Sequence, residues 1–203
     1  RRVAAAEEAD AYDNLKEAIK GVGTELDNIA SGVAKQKGAK KETSAATGLA
    51  TLGISSKIED AMGVKDPDKK ANAIALIRKE LAQVGALSPK VEKLMQGIPD
   101  AMSGVFVEVV ENGKKVQKQL TNLEAIKNIE TSAQAATGGL GALKDGIQNI
   151  NQALSAGDLV QAEFALAALG GTAATTSDAF KAIFGEDSKA ATKALADFEA
   201  AFS

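Results

Sequence analysis

The 203-residue chain has no cysteine, no histidine and no tryptophan, and its prolines number three and its tyrosines one. Without imidazole or thiol it can build no Ser-His-Asp relay, no thiolate nucleophile, no zinc site of thiolates or imidazoles and no histidine acid/base pair. Catalysis by carboxylates alone is still open. Missing cysteines also leave the redox compartment open, because a helical bundle folds without disulfides in either setting. Arginine is nearly absent: Arg1, Arg2 and Arg78 are the whole set, and the net charge is −3. A nucleic-acid binder carries a basic footprint, arginine forks and aromatic stacking platforms, so nucleic acid is not an expected partner. No run approaches the ~18 apolar residues of a spanning helix. Asn-x-Ser/Thr acceptor sites are absent as well.

What remains is ordinary in quantity and unusual in kind. Hydrophobic residues make up 45% and charged residues 25%, a globular balance, yet aromatics are 3% and alanine is about a fifth of the chain. Alanine is the best helix former, and its small side chain lets helices approach closely. The expected fold is all-α: a single unit over residues 1–203, an elongated antiparallel helical bundle with long heptad-patterned helices and shorter helices at one end.

The clearest pattern comes first. Tyr12, Leu15, Ile19, Val22, Leu26, Ile29 and Val33 alternate steps of three and four, which predicts one long helix. Residues 35–48, rich in Lys, Gly, Ser and Thr, lack that periodicity and are expected to be a connection. A short apolar element follows, with Leu49, Leu52, Ile54, Ile58 and Met62, ending near Gly63. Asp66-Pro67 marks a break, with Asp68 as N-cap of a helix carrying Ile74, Ile77, Leu81 and Val84. Ser88-Pro89 then caps and starts another, with Val91, Leu94 and Ile98.

Residues 105–115, VFVEVVENGKK, send two conflicting signals. The valines favour a strand and Asn-Gly is the strongest short hairpin turn. Against that, a seven-residue phase runs from Ile98 through Val105, Asn112, Gln119, Ile126, Ala133, Leu140, Ile147 and Leu154, with Met102, Val109, Val116 and Leu123 between them and then Ile129, Ala136, Leu143 and Ile150 in the second seam. That phase predicts one helix from about 100 to 155, ~80 Å long, with Asn112 in its seam and a kink near Gly138. Beyond it, Asp158 with Gln161 forms a capping box before Leu159, Phe164, Leu166 and Leu169, and Gly170-Gly171 is expected to stop that helix. A Thr/Ala loop leads to Phe180, Ile183 and Phe184, closed by Gly185, and Ser188 caps a last helix with Leu195, Phe198 and Phe202. These aromatics are expected to fill the thicker end of a thin rod.

Motifs that could carry chemistry are few. Asp13 and Glu17, four apart on the polar face of the first helix, resemble a paired-carboxylate site but have no facing acidic pair, so they are read as a solvated face. Gly139-Leu140-Gly141 starts like a dinucleotide fingerprint, but Lys144 stands where the third glycine belongs and no strand precedes it, which points to helix packing. Lys40-Lys41 and Lys114-Lys115 are too small for membrane anchoring. Thr43, Thr47, Thr172, Thr175 and Thr176 sit in segments expected to be loops, where O-linked sugar could attach, although capping explains them as well. No catalytic, cofactor-binding or metal-binding residue is assigned, and no cofactor or small-molecule substrate is expected.

The alanine-rich chain, the opening helix AYDNLKEAIKGVGTELDNIASGV and the return beginning DPDKKANAIALIRKEL together resemble the ectodomain of African trypanosome surface coat proteins of the glutamic acid/alanine-rich type. The chain opens at Arg1 and stops at Phe202-Ser203 without an apolar tail, so a signal peptide and an anchor are expected to have been removed. The resemblance implies an extracellular, non-enzymatic, glycosylated coat protein. It would be tied to the membrane by a C-terminal glycosylphosphatidylinositol anchor lost here, and packed against neighbouring coat molecules, with at most weak self-association. Two alternatives stand beside it: a helical pore-forming toxin or translocator with a tongue near 105–115, and a phage or secretion-system filament component.

Overall fold

The computed structural model describes residues 13–14, 16–17, 19–24, 37–96, 98, 105–111, 114–120, 122–186 and 188–202. Helical residues at 13–14, 16–17 and 19–24 belong to α1. There follow α2 (Lys37–Leu52), α3 (Ile54–Met62), α4 (Pro67–Gln83), α5 (Pro89–Gln96), β1 (Val105–Glu111), β2 (Lys114–Leu120), α6 (Asn122–Ala156), α7 (Leu159–Phe184) and α8 (Lys189–Phe202). The packed body is helical throughout, and no helix among the described residues is long and apolar enough to cross a membrane.

The core is a stripe of apolar side chains on each helix facing its neighbours. On α6 it runs Ile126, Ile129, Ala133, Ala136, Leu140, Leu143, Ile147, Ile150 and Leu154, all buried, which is the phase read from the sequence. Ile19 of α1 is buried, and Val22 packs beside the core. Tyr12, Leu15, Leu26, Ile29 and Val33 of the predicted opening stripe lie outside the described residues. Asp13 and Glu17 are exposed, as a solvated face requires.

Helices α6 and α7 form an antiparallel pair joined through Gly157, whose φ of 76° is a left-handed turn position that favours glycine. A Cβ on Gly139 would fall 2.0 Å from Thr176 Oγ1, and one on Gly146 would fall 2.5 Å from Leu169 Cδ1. Seven steps forward on α6 thus match seven steps back on α7. Glycine here is a means of close approach, and α6 runs through Gly138, Gly139 and Gly141 as one helix.

Several sequence expectations are corrected. Of the connection expected at 35–48, residues 37–48 are helix instead, part of α2, and residues 35–36 lie outside the described residues. Its buried stripe is Ala39, Thr43, Ala46 and Leu49, a helical period written mostly in small residues and so missed when only large apolar residues are counted. Helix α7 likewise continues through Gly170-Gly171 and the supposed Thr/Ala loop to Phe184. Ala162, Leu169, Ala173, Thr176, Phe180 and Ile183 are buried along it. Threonines expected in loops lie in helices, where their hydroxyls donate to carbonyls one turn back: Thr43 to Ala39 at 2.9 Å, Thr47 to Thr43 at 2.9 Å, Thr172 to Ala168 at 3.1 Å, Thr175 to Gly171 at 2.7 Å and Thr176 to Thr172 at 2.7 Å. The N-cap of α4 is Asp66 rather than Asp68, and it accepts from the N–H groups of Asp68 at 3.0 Å and Lys69 at 3.2 Å. Proline at the first helical position has no N–H to offer, so the cap reaches the next two. The caps read at Ser88 and Asp158 hold, accepting from Val91 N–H at 3.2 Å and Gln161 N–H at 3.0 Å.

The largest correction concerns 105–120. The segment is an antiparallel hairpin, in register from Val105 opposite Leu120, through Val109 opposite Val116, to Glu111 opposite Lys114. Asn112, expected in a helix seam, falls between the strands and outside the described residues. The seven-residue phase meets polar Asn112 and Gln119 in its first seam, whereas five β-branched valines and an Asn-Gly pair act locally and together. The predicted 100–155 helix is therefore α6 alone.

Two outcomes test this packing. Gly139→Ala is expected to destabilise by about 1–3 kcal/mol in urea unfolding because stiff, β-branched Thr176 cannot retreat. Gly138→Ala and Gly141→Ala, which meet nothing within 4 Å, should stabilise by up to about 1 kcal/mol. For the hairpin, the double variant Val109→Cys/Val116→Cys should form an intramolecular disulfide on oxidation, read by a gel-mobility shift reversed by reductant. In a helix those positions would stand about 10 Å apart, too far to bridge.

Candidate functional site

Charged side chains that enter the interior are the natural place to look for chemistry. Glu130 is one, at 8% exposure on the buried face of α6. Its Oε1 accepts the Ser55 N–H at 3.0 Å and its Oε2 accepts the Ser55 hydroxyl at 2.5 Å. Ser55 lies in the first turn of α3, whose N-cap, Gly53, has a φ of 58° and no side chain with which to cap. The missing cap is thus supplied from another helix, by a carboxylate suited to the positive end of the helix dipole.

Glu42 of α2 does the same for α8. Its carboxylate accepts the Ser188 hydroxyl at 2.9 Å, the Lys189 N–H at 2.8 Å and the Ala190 N–H at 2.5 Å. Ser188, buried, accepts in turn from the Ala191 N–H at 3.2 Å, so the cap predicted at Ser188 is present and Glu42 completes it. Both oxygens of each carboxylate are committed to holding a helix start. That is a structural occupation.

Other charges link neighbouring helices at the surface. Lys57 of α3 pairs with Glu80 of α4 at 2.5 Å, Lys127 of α6 with Glu59 of α3 at 2.5 Å, and Arg78 of α4 with Glu92 of α5. Lys90 of α5 donates to the Ala182 carbonyl in the last turn of α7 at 2.5 Å, and burial pushes its ammonium below the ordinary lysine value. Among the described residues no cluster of three or more acidic side chains could hold a metal ion. Gly139-Leu140-Gly141, weighed as a phosphate loop, is interior to α6 and serves the α7 contact. Phe180 and Phe184 stack at 6.2 Å between ring centroids and 22° between planes, with Phe180 fully buried.

The hairpin is the feature that stands apart. Its strands pair with each other, and β2 adjoins α6. The register sets Glu108 opposite Gln117, Val110 opposite Lys115 and Val107 opposite Lys118. Seven residues per strand are fewer than the about 9–11 of a bilayer-crossing strand.

Sequence reasoning singled out the hairpin segment and missed Glu42 and Glu130. A signal for Glu130 existed: it lies four residues after Ile126 and three before Ala133, on the apolar stripe, where a charge requires a partner. Glu42 gave no such sign.

Glu130→Ala should lower unfolding free energy by about 2–3 kcal/mol, as expected for hydrogen bonds to a charged group at a buried helix start. Glu42→Ala should cost about 1–2 kcal/mol and raise amide exchange selectively at the start of α8. Equilibrium denaturation and hydrogen exchange by mass spectrometry measure both. Comparison of the chain with known protein families, curated proteins and solved structures gives no match.

Proposed function

We propose that the chain is a non-enzymatic structural protein that works by presenting surface, and that its setting is a cell-surface coat. The observation carrying this reading is the use of the buried carboxylate of Glu130 and the half-buried one of Glu42, both committed to helix starts. Helix α6, 35 residues long, extends ~52 Å at 1.5 Å per residue and has α7 returning along it. Such a pair supports an elongated antiparallel bundle, which would stand on a membrane with a small footprint and shield it without pocket chemistry. In this reading the molecule is extracellular, held by a C-terminal lipid anchor on the complete protein, and touches neighbouring copies weakly.

A second reading is favoured by one specific observation, the hairpin at 105–120. A helical body with a two-stranded tongue is what a membrane-inserting toxin or translocator needs. The short strands, and Glu108, Glu111, Lys114, Lys115 and Lys118 distributed along them, weigh against insertion.

Dye-loaded vesicles separate the two. The coat reading expects no leakage from the purified protein at micromolar concentration, and leakage that disappears when residues 105–120 are replaced by a short Gly-Ser linker would overturn it. Light scattering should give a monomer or dimer, whereas species growing with concentration and time would favour a filament component. Release of the complete protein from cells by a phosphatidylinositol-specific phospholipase would support the anchor.

A further inference from the structure

An open apolar groove of about 420 Å³ lies along α4 and opens onto Ile98, apart from the capping carboxylates and the hairpin. Lys70, Ala71, Ile74, Ala75 and Arg78 line it from one face of α4, at the spacing of successive helical turns. Met62, Lys65 and Pro67 close its other end. Ile74 and Ile98 form a recessed floor, at 9% and 5% exposure, and Met62 remains accessible at 37%. Among the described residues, three cations and no carboxylate line this apolar surface.

The cations are not equivalent. Arg78 is held by Glu92, which neutralises that end of the groove. Lys65 and Lys70 have no ion-pair partner among the described residues, and they sit beside the N-terminal end of α4. The nearby acids are otherwise occupied or outside: Asp66 accepts from the first N–H groups of α4, and neither it nor Asp68 lines the groove. Unneutralised cations next to a low-dielectric wall focus attraction for an anion. The volume falls in the small-ligand range of about 300–1,000 Å³. It is short for a docked amphipathic helix, which anchors over several turns.

We propose that this groove binds a free single-chain acyl carboxylate, its head group between Lys65 and Lys70 and its tail along Ala71, Ile74 and Ala75 toward Ile98. This ligand site stands independently of the coat reading: an inert coat rod and a membrane-active protein could each carry it.

Isothermal titration of the purified protein with sodium laurate, kept below its micelle threshold, tests the proposal. Saturable binding of one laurate is expected, weakening up to about fourfold for each methylene removed toward octanoate, because each buried methylene contributes to burial. Dodecyltrimethylammonium, with the same tail and the opposite charge, should bind at least about tenfold more weakly. Lys65→Glu/Lys70→Glu should weaken laurate by a similar factor. Ala71→Trp, at an exposed position that leaves the core intact, should abolish binding by filling the groove. Because the chain has no tryptophan, Met62→Trp supplies a single fluorescent reporter that a doxyl-labelled acyl carboxylate should quench. Equal binding of the two amphiphiles, binding unchanged in the variants, or no saturable binding would each overturn the proposal. So would capture by anionic vesicles without binding of free laurate, or a preference for an acidic peptide over laurate.

Discussion

The structure depends on how closely α6 and α7 approach. Where Gly139 meets Thr176 and Gly146 meets Leu169, there is no room for one more carbon without something shifting. Close approach brings the small residues of two long helices into contact, so alanine and threonine can fill an interior that few aromatics help to fill. Dispersion between well-fitted surfaces makes up for the modest apolar area that each alanine buries. The same constraint explains two of the glycines inside α6: Gly139 and Gly146 cost helix propensity locally and gain contact with α7.

Once that pair is set, the remaining helices are fastened to it by polar as well as apolar contacts. Glu130 reaches from α6 to the start of α3, and Glu42 from α2 to the start of α8. A helix whose first N–H groups are satisfied by a distant side chain is fixed in position and in direction, which apolar packing alone specifies less sharply. The molecule's surface carries the hairpin and the cation-lined groove on α4.

Much of the helical body was legible from residue patterns. The buried stripe of α6, the apolar positions of α4 and α5, and the caps at Ser88, Asp158 and Ser188 were all read from spacing. Reading failed in two ways. Helices α2 and α7 were broken at Gly, Ser and Thr runs because those residues suit loops when alone, whereas Ala39, Thr43 and Ala46 or Ala173 and Thr176 form a buried face when another helix lies against them. At 105–120 a long-range phase was followed where the local valine and Asn-Gly signals carried the outcome.

The sequence by itself determined what acts within a few residues: which chemistries have no side chains to perform them, where capped helices begin, and that valines flank a tight turn. Tertiary structure decided what depends on distant partners. Glu130 meets Ser55 across 75 positions and Glu42 meets Ser188 across 146, separations at which no local pattern names the partner. Whether a glycine ends a helix or lets two helices touch is likewise set by what packs against it. Backbone preference at such a position is worth about 1 kcal/mol, and contact with a neighbouring helix outweighs it.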